Sequence, residues 1–311
     1  MTLVDRQSQS NTPHQVIGID LGGTAIKLGR FDRAGNCLQT LTVRTPQPAT
    51  PEATIATIIE AIHQLDADRE CTAIGIGTPG PVDPAARIAK IAINLDNWHD
   101  VPLADAIEAK TQRRVTLAND ANCAGLGEAW LGASRHVQNS IVLTLGTGVG
   151  GAVILDGKLF VGHRGGAGEL GLITLNPDGP PCNSGNSGSL EQYVSVRAIR
   201  RETGLEPDIL AAKAHDGDAE AIAFWQKYGR LLGAGLASSV YILTPEAIVI
   251  GGGVSAAADL FFPTTWDQIE RRVMPTSREG LQLLVAELGN RAGMVGAAKL
   301  ALERFSELDN G

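Results

Sequence analysis

The sequence predicts an α/β protein made of two similar domains. Three observations carry that expectation. The chain has 311 residues, too many for one ordinary domain and comfortable for two. Strand-like and helix-like segments alternate along most of it. A strand–glycine loop–strand unit occurs twice, and a long-period duplication of this kind marks two like domains.

The first copy opens the ordered chain. Val16-Ile17-Gly18-Ile19-Asp20 is an apolar run closed by an acid, followed by Gly22-Gly23-Thr24. A second strand-like stretch covers 25–31 and turns at Arg33-Ala34-Gly35-Asn36. Apolar runs around a glycine-rich turn read as a β-hairpin. In the second copy, Ile141-Val142-Leu143-Thr144 leads into Gly146-Thr147-Gly148-Val149-Gly150-Gly151, an apolar stretch over 152–155 and the turn Asp156-Gly157. At a constant offset, Ile17 falls on Ile141, Asp20 on Thr144 and Gly22 on Gly146.

The remaining elements fill the space between. Ile55, Ile58, Ile59, Ile62 and Leu65 recur at helical spacing behind Thr50 as N-cap and Pro51 at the first helical position, predicting a helix over 51–65. Residues 72–77 and 115–118 read as strands. The second of these ends at Asn119-Asp120 and runs into a helix over 121–131. A long helix over 219–243 stops at Pro245. A strand over 247–250 ends in Gly251-Gly252-Gly253. The last strand is expected over 283–287 and the last helix over 293–304.

Composition narrows the function. Apolar residues make up 43% of the chain, aromatics only 4%, and there are 37 glycines. That balance suits a nucleotide-handling α/β protein with glycine loops rather than an aromatic-lined nucleic-acid binder. The net charge is −8, with no basic block. Phosphate-backbone binding runs on Lys and Arg, so no nucleic-acid partner is expected. ATP remains compatible, because backbone N–H groups and Mg²⁺ offset its charge locally. No apolar run approaches the length of a membrane span. Residues 1–14 are polar and lack a hydrophobic signal region, so they read as a disordered tail. Cys37, Cys71, Cys123 and Cys182 are scattered without a CxxC pair, the pattern of free thiols in a reducing cytoplasm.

Three glycine loops each follow a strand: Gly22-Gly23-Thr24, Gly146-Thr147-Gly148 and Gly251-Gly252-Gly253. Glycine lets backbone N–H groups approach and cradle a phosphate. None of the three is a GxxxxGK[ST] P-loop, and none is a GxGxxG dinucleotide fingerprint. Asp20 lies beside the first loop, where an acid serves either to hold Mg²⁺ through water or to form the turn. Lys27, in the returning strand, faces either phosphate or solvent. Asn119 and Asp120 sit at a strand-to-helix junction. They are helix caps, or they present a carboxylate that accepts the proton of an alcohol during phosphoryl transfer. Glu169 lies in the small-residue loop Gly165-Gly166-Ala167-Gly168-Glu169-Leu170-Gly171, and Glu191 follows a Gly-Pro-Ser-rich stretch. These two loop acids are either ordinary loop residues or, with Asn119 and Asp120, a candidate set for a polyol, since carboxylates accept hydrogen bonds from neighbouring hydroxyls.

These motifs resemble the ROK family of bacterial sugar kinases and related repressors. Asp20-Leu21-Gly22-Gly23-Thr24-Ala25-Ile26-Lys27 is similar to its first phosphate motif, and Leu145 to Gly151 to its second. Gly75-Ile76-Gly77-Thr78-Pro79-Gly80-Pro81-Val82-Asp83 resembles its inter-strand loop. Asn94-Leu95 with Trp98 resembles the sugar-side loop, Asn119-Asp120-Ala121-Asn122 the catalytic segment, and 165–171 with Leu190-Glu191 the signature around the sugar. The resemblance runs from Val16 to the last helix.

The resemblance implies an actin-like, ribonuclease H-like two-domain ATPase fold with an interdomain cleft. It puts a tail at 1–15, one domain at 16–118 joined by the C-terminal helix 293–311, and the other at 119–292. It implies an ATP-dependent hexose kinase of the cytoplasm, most simply a glucokinase acting at C6, with ATP and Mg²⁺ as its phosphoryl donor and a homodimer or higher homo-oligomer as its assembly. Asp120 is the implied general base, with hexose contacts from Asn94, Asn119, Asp120, Glu169 and Glu191. Donor contacts are implied from Gly22, Gly23, Thr24, Lys27, Gly146, Thr147, Gly148, Gly251 and Gly252, with Asp20 toward Mg²⁺.

One departure bears on this. The family often carries a structural zinc held by one His and three Cys. Aligned through Gly179-Pro180-Pro181, those positions hold Leu172, Cys182, Ser184 and Ser189. A lone Cys does not hold structural zinc, so no zinc is expected, and the chain resembles the zinc-less branch. The missing His also contacts sugar in many relatives. Kinases of N-acylmannosamine, fructose or allose are the alternatives within the family, with polyphosphate as an alternative donor. Outside catalysis, a sugar-sensing protein is the alternative. The residues before Val16 are too few for the DNA-binding motif of the family's repressors, and the presence of both Asp20 and Asp120 argues for catalysis.

Overall fold

The computed structural model describes residues 15–92 and 94–308. The expected tail therefore lies outside the described residues except for Gln15, which already belongs to the first strand. The described chain forms two compact units. One comprises the residues up to Asp120 with those from Ala297 onward, and the other comprises Ala121–Gly296.

The first unit begins with β1 (Gln15–Leu21), β2 (Ala25–Asp32) and β3 (Cys37–Arg44). It continues through α1 (Pro51–Leu65), β4 (Ala73–Thr78), β5 (Ala89–Ile91), β6 (His99–Val101), α2 (Leu103–Thr111) and β7 (Arg114–Asn119). Its main sheet has the order β3-β2-β1-β4-β7. β1, β2 and β3 are antiparallel neighbours, and β1, β4 and β7 are parallel. Every residue of β4 is buried, as an apolar strand covered on both faces requires. At its start α1 is capped by Thr50 Oγ1, which accepts from Ala53 N, and Pro51 stands where no helical N–H is needed. Ile58, Ile62 and Leu65 bury its apolar stripe. Beyond it, the buried Asp66 carboxylate accepts from Glu70 N at 3.0 Å and pairs with the buried Arg113.

α3 (Asp120–Leu131) leads into the second unit, which holds β8 (Ser140–Leu145), β9 (Val149–Leu155) and β10 (Lys158–Leu159). There follow α4 (Glu191–Val194), α5 (Val196–Thr203), α6 (Pro207–His215) and α7 (Ala219–Leu243). β11 (Ala247–Gly251), α8 (Ala258–Arg272), β12 (Gln282–Val285) and α9 (Ala292–Leu308) complete the chain. The sheet order is β10-β9-β8-β11-β12, three antiparallel strands followed by two parallel ones. This repeats the first sheet strand for strand. Trp225 and Tyr228 of α7 meet Phe261 of α8 with ring centroids 5.8 and 5.0 Å apart. That aromatic cluster anchors the apolar core behind the second sheet.

Several expectations shift in detail. The last strand runs over Gln282–Val285 rather than 283–287. Glu191 is not a loop acid, because it opens the four-residue helix α4. Gly253 belongs to a 3-10 turn over Gly253–Ala257 rather than to an open loop. Among the described residues no helix is long and apolar enough to cross a membrane.

Candidate active site

In the first unit, Gly22-Gly23-Thr24 forms the tight connection between β1 and β2, closed by Gly22 N donating to Ala25 O at 3.1 Å. Thr45, buried just beyond β3, holds this loop from outside. Its Oγ1 donates to Gly22 O at 2.6 Å and its N–H to Thr24 O at 3.0 Å. Sequence reasoning misses Thr45, because no motif around it points to the role.

Asp20 and Lys27 are cross-strand partners in the β1–β2 register, with Nζ 3.4 Å from Oδ2. Burial raises the Asp20 pKa above the ordinary carboxylate value, and the charge and hydrogen bond of Lys27 only partly counter it. A single half-buried carboxylate at a strand end fits Mg²⁺, which is held by one or two carboxylates while keeping waters and phosphate oxygens. The folded-state pKa lies above that of the unfolded chain. Stability associated with Asp20 is therefore complete below the unfolded pKa and is lost as pH rises through the folded one. Asp20→Asn is expected to melt at a higher temperature than the parent protein at neutral pH. The difference should vanish below the ordinary carboxylate range. Melting curves across pH check this, and a lower melting temperature at neutral pH would contradict it.

At the end of β7 the Asn119 side chain is fixed from two directions. Its Nδ2 donates to Gly80 O at 3.2 Å and to Asp120 Oδ1 at 3.0 Å. Asn119 and Asp120 are half-buried, and Asp120 is the first residue of α3. Gly80 stands in the turn after β4, beside β7 in the parallel register that pairs Thr78 with Asn119. Its φ is +76°, and its backbone packs directly on Ile91 O. The carbonyl of this inter-strand loop thus orients the Asn119 amide. Asn94 lies exposed in the β5–β6 connection with its carbonyl against Gly23, where an added Cβ would come within 3.4 Å. That connection is pinned by the buried Trp98, whose Nε1 donates to Ala49 O at 2.8 Å, and by Asp96, which accepts from Ala49 N at 2.7 Å. Asp20, the first glycine loop, Asn94, Asn119 and Asp120 therefore all belong to the C-terminal ends of parallel strands or to loops fixed beside them.

In the second unit, Gly146-Thr147-Gly148 connects β8 to β9 and is closed by Gly146 N donating to Gly148 O at 2.9 Å. Val196 N donates to Gly146 O at 2.8 Å, and Glu191 Oε2 accepts from Val149 N at 2.9 Å. Gly252, with φ +83°, packs on Leu145 O, bringing the third glycine turn beside the second loop. Glu169 is exposed and precedes a 3-10 turn over Leu170–Leu172. Gly168 and Gly171, on either side of it, press against the backbone of Gly151 and Val149. Glu169, Glu191 and the second and third glycine loops are thus gathered at one end of β8, β9 and β11.

The four positions of the family's zinc ligands also lie in this unit. Leu172 is half-buried, Cys182 and Ser189 are buried and Ser184 is exposed. Ser184 Oγ donates to Cys182 Sγ at 3.3 Å. Asn186 Nδ2 donates to Thr174 Oγ1 at 2.9 Å and to Leu172 O at 3.3 Å. Hydrogen bonds fasten the segment that follows Glu169.

Two sheets of one topology, each with a glycine turn beside its first strand, define the actin-like class of ribonuclease H-type folds. The sequence profile of the ROK family matches residues 16–304, and the chain belongs to that family. A glucokinase of Thermotoga maritima is 34% identical, the match covering 94% of this chain and 98% of the relative. The crystal structure of a ROK hexokinase from Thermus thermophilus is similar with a TM-score of 0.85 at 36% identity, over 96% of this chain and 100% of that one. A ROK family glucokinase from Streptomyces griseus, in complex with glucose and AMPPNP, has a TM-score of 0.78 at 35% identity, over 93% and 99% of the two chains.

Proposed function

We propose that the chain is an ATP-dependent hexose kinase that phosphorylates the C6 hydroxyl of glucose. The observation that carries this reading is the fixed Asn119–Asp120 pair, a half-buried carboxylate at a strand end in the same unit as Asp20 and the first glycine loop. Glucose is the sugar bound to the Streptomyces griseus relative, and glucokinase is the name of the Thermotoga maritima one. Both facts support the choice of hexose.

In this mechanism Asn94, Asn119, Asp120, Glu169 and Glu191 bind the sugar hydroxyls. Asp120 accepts the C6 hydroxyl proton as that oxygen bonds to the γ-phosphorus, and the bond from γ-phosphorus to the bridging oxygen breaks to release ADP. Backbone N–H groups of Gly22, Gly23, Thr24, Gly146, Thr147 and Gly148 orient the phosphates, with Lys27 adding charge and Gly251 and Gly252 flanking the nucleotide. Asp20 would hold Mg²⁺, which neutralises β- and γ-phosphate charge when bound. Such catalysis is positioning and electrostatics. We place the enzyme in the cytoplasm as a homodimer or higher homo-oligomer without nucleic-acid or membrane partners, in keeping with its net charge of −8 and its four free thiols.

The test is phosphorylation of a panel of hexoses that includes glucose, N-acetylmannosamine, fructose and allose, read as ADP release with ATP as donor and as sugar phosphate formed with polyphosphate as donor. Glucose with ATP is expected to give the highest kcat/KM. No ADP release with any sugar would overturn the reading. Zinc has no part in this mechanism, given Leu172, Ser184 and Ser189 at three ligand positions. Dialysis against a strong chelator, followed by saturating Mg²⁺, is expected to leave activity and Tm unchanged. Stoichiometric zinc in the purified protein, or unfolding on chelation, would contradict this.

A further inference from the structure

We infer that Glu191 is a positioning residue for the second glycine loop, so that the acid proposed to hold a sugar hydroxyl also sets the loop proposed to hold the donor phosphates. The identity of the two ligands rests on the function proposed above, but the geometry stands on its own. Glu191 Oε2 accepts from Val149 N at 2.9 Å. The carboxylate lies over the Cα of Gly148, where an added Cβ would come within 2.5 Å of Oε2 and 3.3 Å of Cδ. Oε1 is farther from that point, at 3.9 Å. Oε2 therefore serves the loop, and Oε1 stands farther from Gly148.

The segment that carries Glu191 is firmly placed. Tyr228, in the aromatic cluster of α7, donates its hydroxyl to Val194 O at 2.7 Å. Val196, two residues further on, donates its N–H to Gly146 O at 2.8 Å. Residues 191–196 thus grip the loop at both ends, at Gly146 and at Val149. Gly146 N is used within the loop by Gly148 O. The N–H groups of Thr147 and Gly148 enter none of these bonds, and they are the donors that the grip presents to an anion. Gly148 is glycine because the Glu191 carboxylate occupies the space of its side chain.

Losing a hydrogen bond to a charged group weakens what it positions by about 10-fold or more. The experiment measures AMPPNP affinity by calorimetry without sugar, alongside KM values for ATP and glucose. Glu191→Ala should weaken AMPPNP about 10-fold. Glu191→Gln keeps a carbonyl oxygen for Val149 N–H and should stay within about 3-fold of the parent for AMPPNP while losing glucose affinity. Gly148→Ala should weaken AMPPNP in the parent background and add little in the Glu191→Ala background, because its obstacle is gone. Glu191→Asp, one methylene shorter, should behave as Glu191→Ala does, and it decides the matter if the alanine variant fails to fold. The inference is overturned if Glu191→Ala or Glu191→Asp binds AMPPNP like the parent, or if the effects of Gly148→Ala and Glu191→Ala multiply. A parent protein that binds AMPPNP but phosphorylates no sugar would instead count against the proposed function alone.

Discussion

Asp120→Asn is expected to lower kcat by about 10²–10⁴-fold, the usual worth of a general base, while the protein stays folded and still binds sugar. The geometry makes this substitution clean. Asn119 Nδ2 donates to Asp120 Oδ1 at 3.0 Å, and the Asn amide oxygen can accept the same bond. The clamp through Gly80 therefore survives, and the carboxylate that accepts the proton is removed. Steady-state kinetics with glucose and ATP, with circular dichroism as the folding control, make the comparison. Turnover within a few-fold of the parent would show that another group takes the proton.

Gly80→Ala is expected to be almost as damaging by a different route. At φ +76° an L side chain is strained, at a cost of about 1–2 kcal/mol. A Cβ there would also run into Ile91 O, so the turn has to move. Its carbonyl moves with it, and the Asn119 amide loses its outer anchor. A misplacement of about 1 Å near reacting atoms costs on the order of 10²-fold in rate. The expected result is a drop in kcat of that order with a lower Tm. Gly204→Ala is the control: its φ is +71°, but nothing lies within 4 Å of an added Cβ. That variant should lose stability and keep kcat. Equal kcat for the two variants would contradict the role given to the Gly80 carbonyl.

Much of this architecture can be read from the residues because its punctuation is strong. Glycine turns after apolar runs mark both hairpins, and Thr50-Pro51 marks the start of α1. The offset that lays Gly22 on Gly146 corresponds to β1 and β8 at the centre of two sheets with one strand order. The duplication fades outward for a physical reason. β3 has eight residues and its counterpart β10 only two, since an edge strand carries few constraints. β3 itself is mostly exposed, with Leu38 in solvent, so it shows no buried alternation to detect. α8 has Pro263 inside it, a residue that normally argues against a helix interior.

The site divides along the same line. Side chains that would touch substrate announce themselves by type: Asp20, Asn119, Asp120 and Glu169 are polar residues at strand ends or in a small-residue loop, and Glu191 is an acid directly after a Gly-Pro-Ser-rich stretch. Those that hold the loops do not. Thr45 holds the first glycine loop through its hydroxyl on Gly22 O and its backbone N–H on Thr24 O, Val196 acts on the second loop through its backbone N–H, and Gly80 contributes a carbonyl. Backbone groups are common to every residue, so such roles become visible only once the chain is folded. Glu191 belongs to both groups, and reading it as a loop acid misses both its place at the start of α4 and its grip on Val149.

Phosphoryl transfer from ATP to the C6 oxygen of glucose is the step on which the proposed function stands, and ³¹P NMR of the reaction mixture observes it. With enzyme, Mg²⁺, ATP and glucose, the γ-phosphate signal should decay as ADP appears in equal amount with a phosphate monoester coupled to the C6 protons. Inorganic phosphate in place of that ester, an ester at another carbon, or an unchanged ATP spectrum would contradict the proposed reaction.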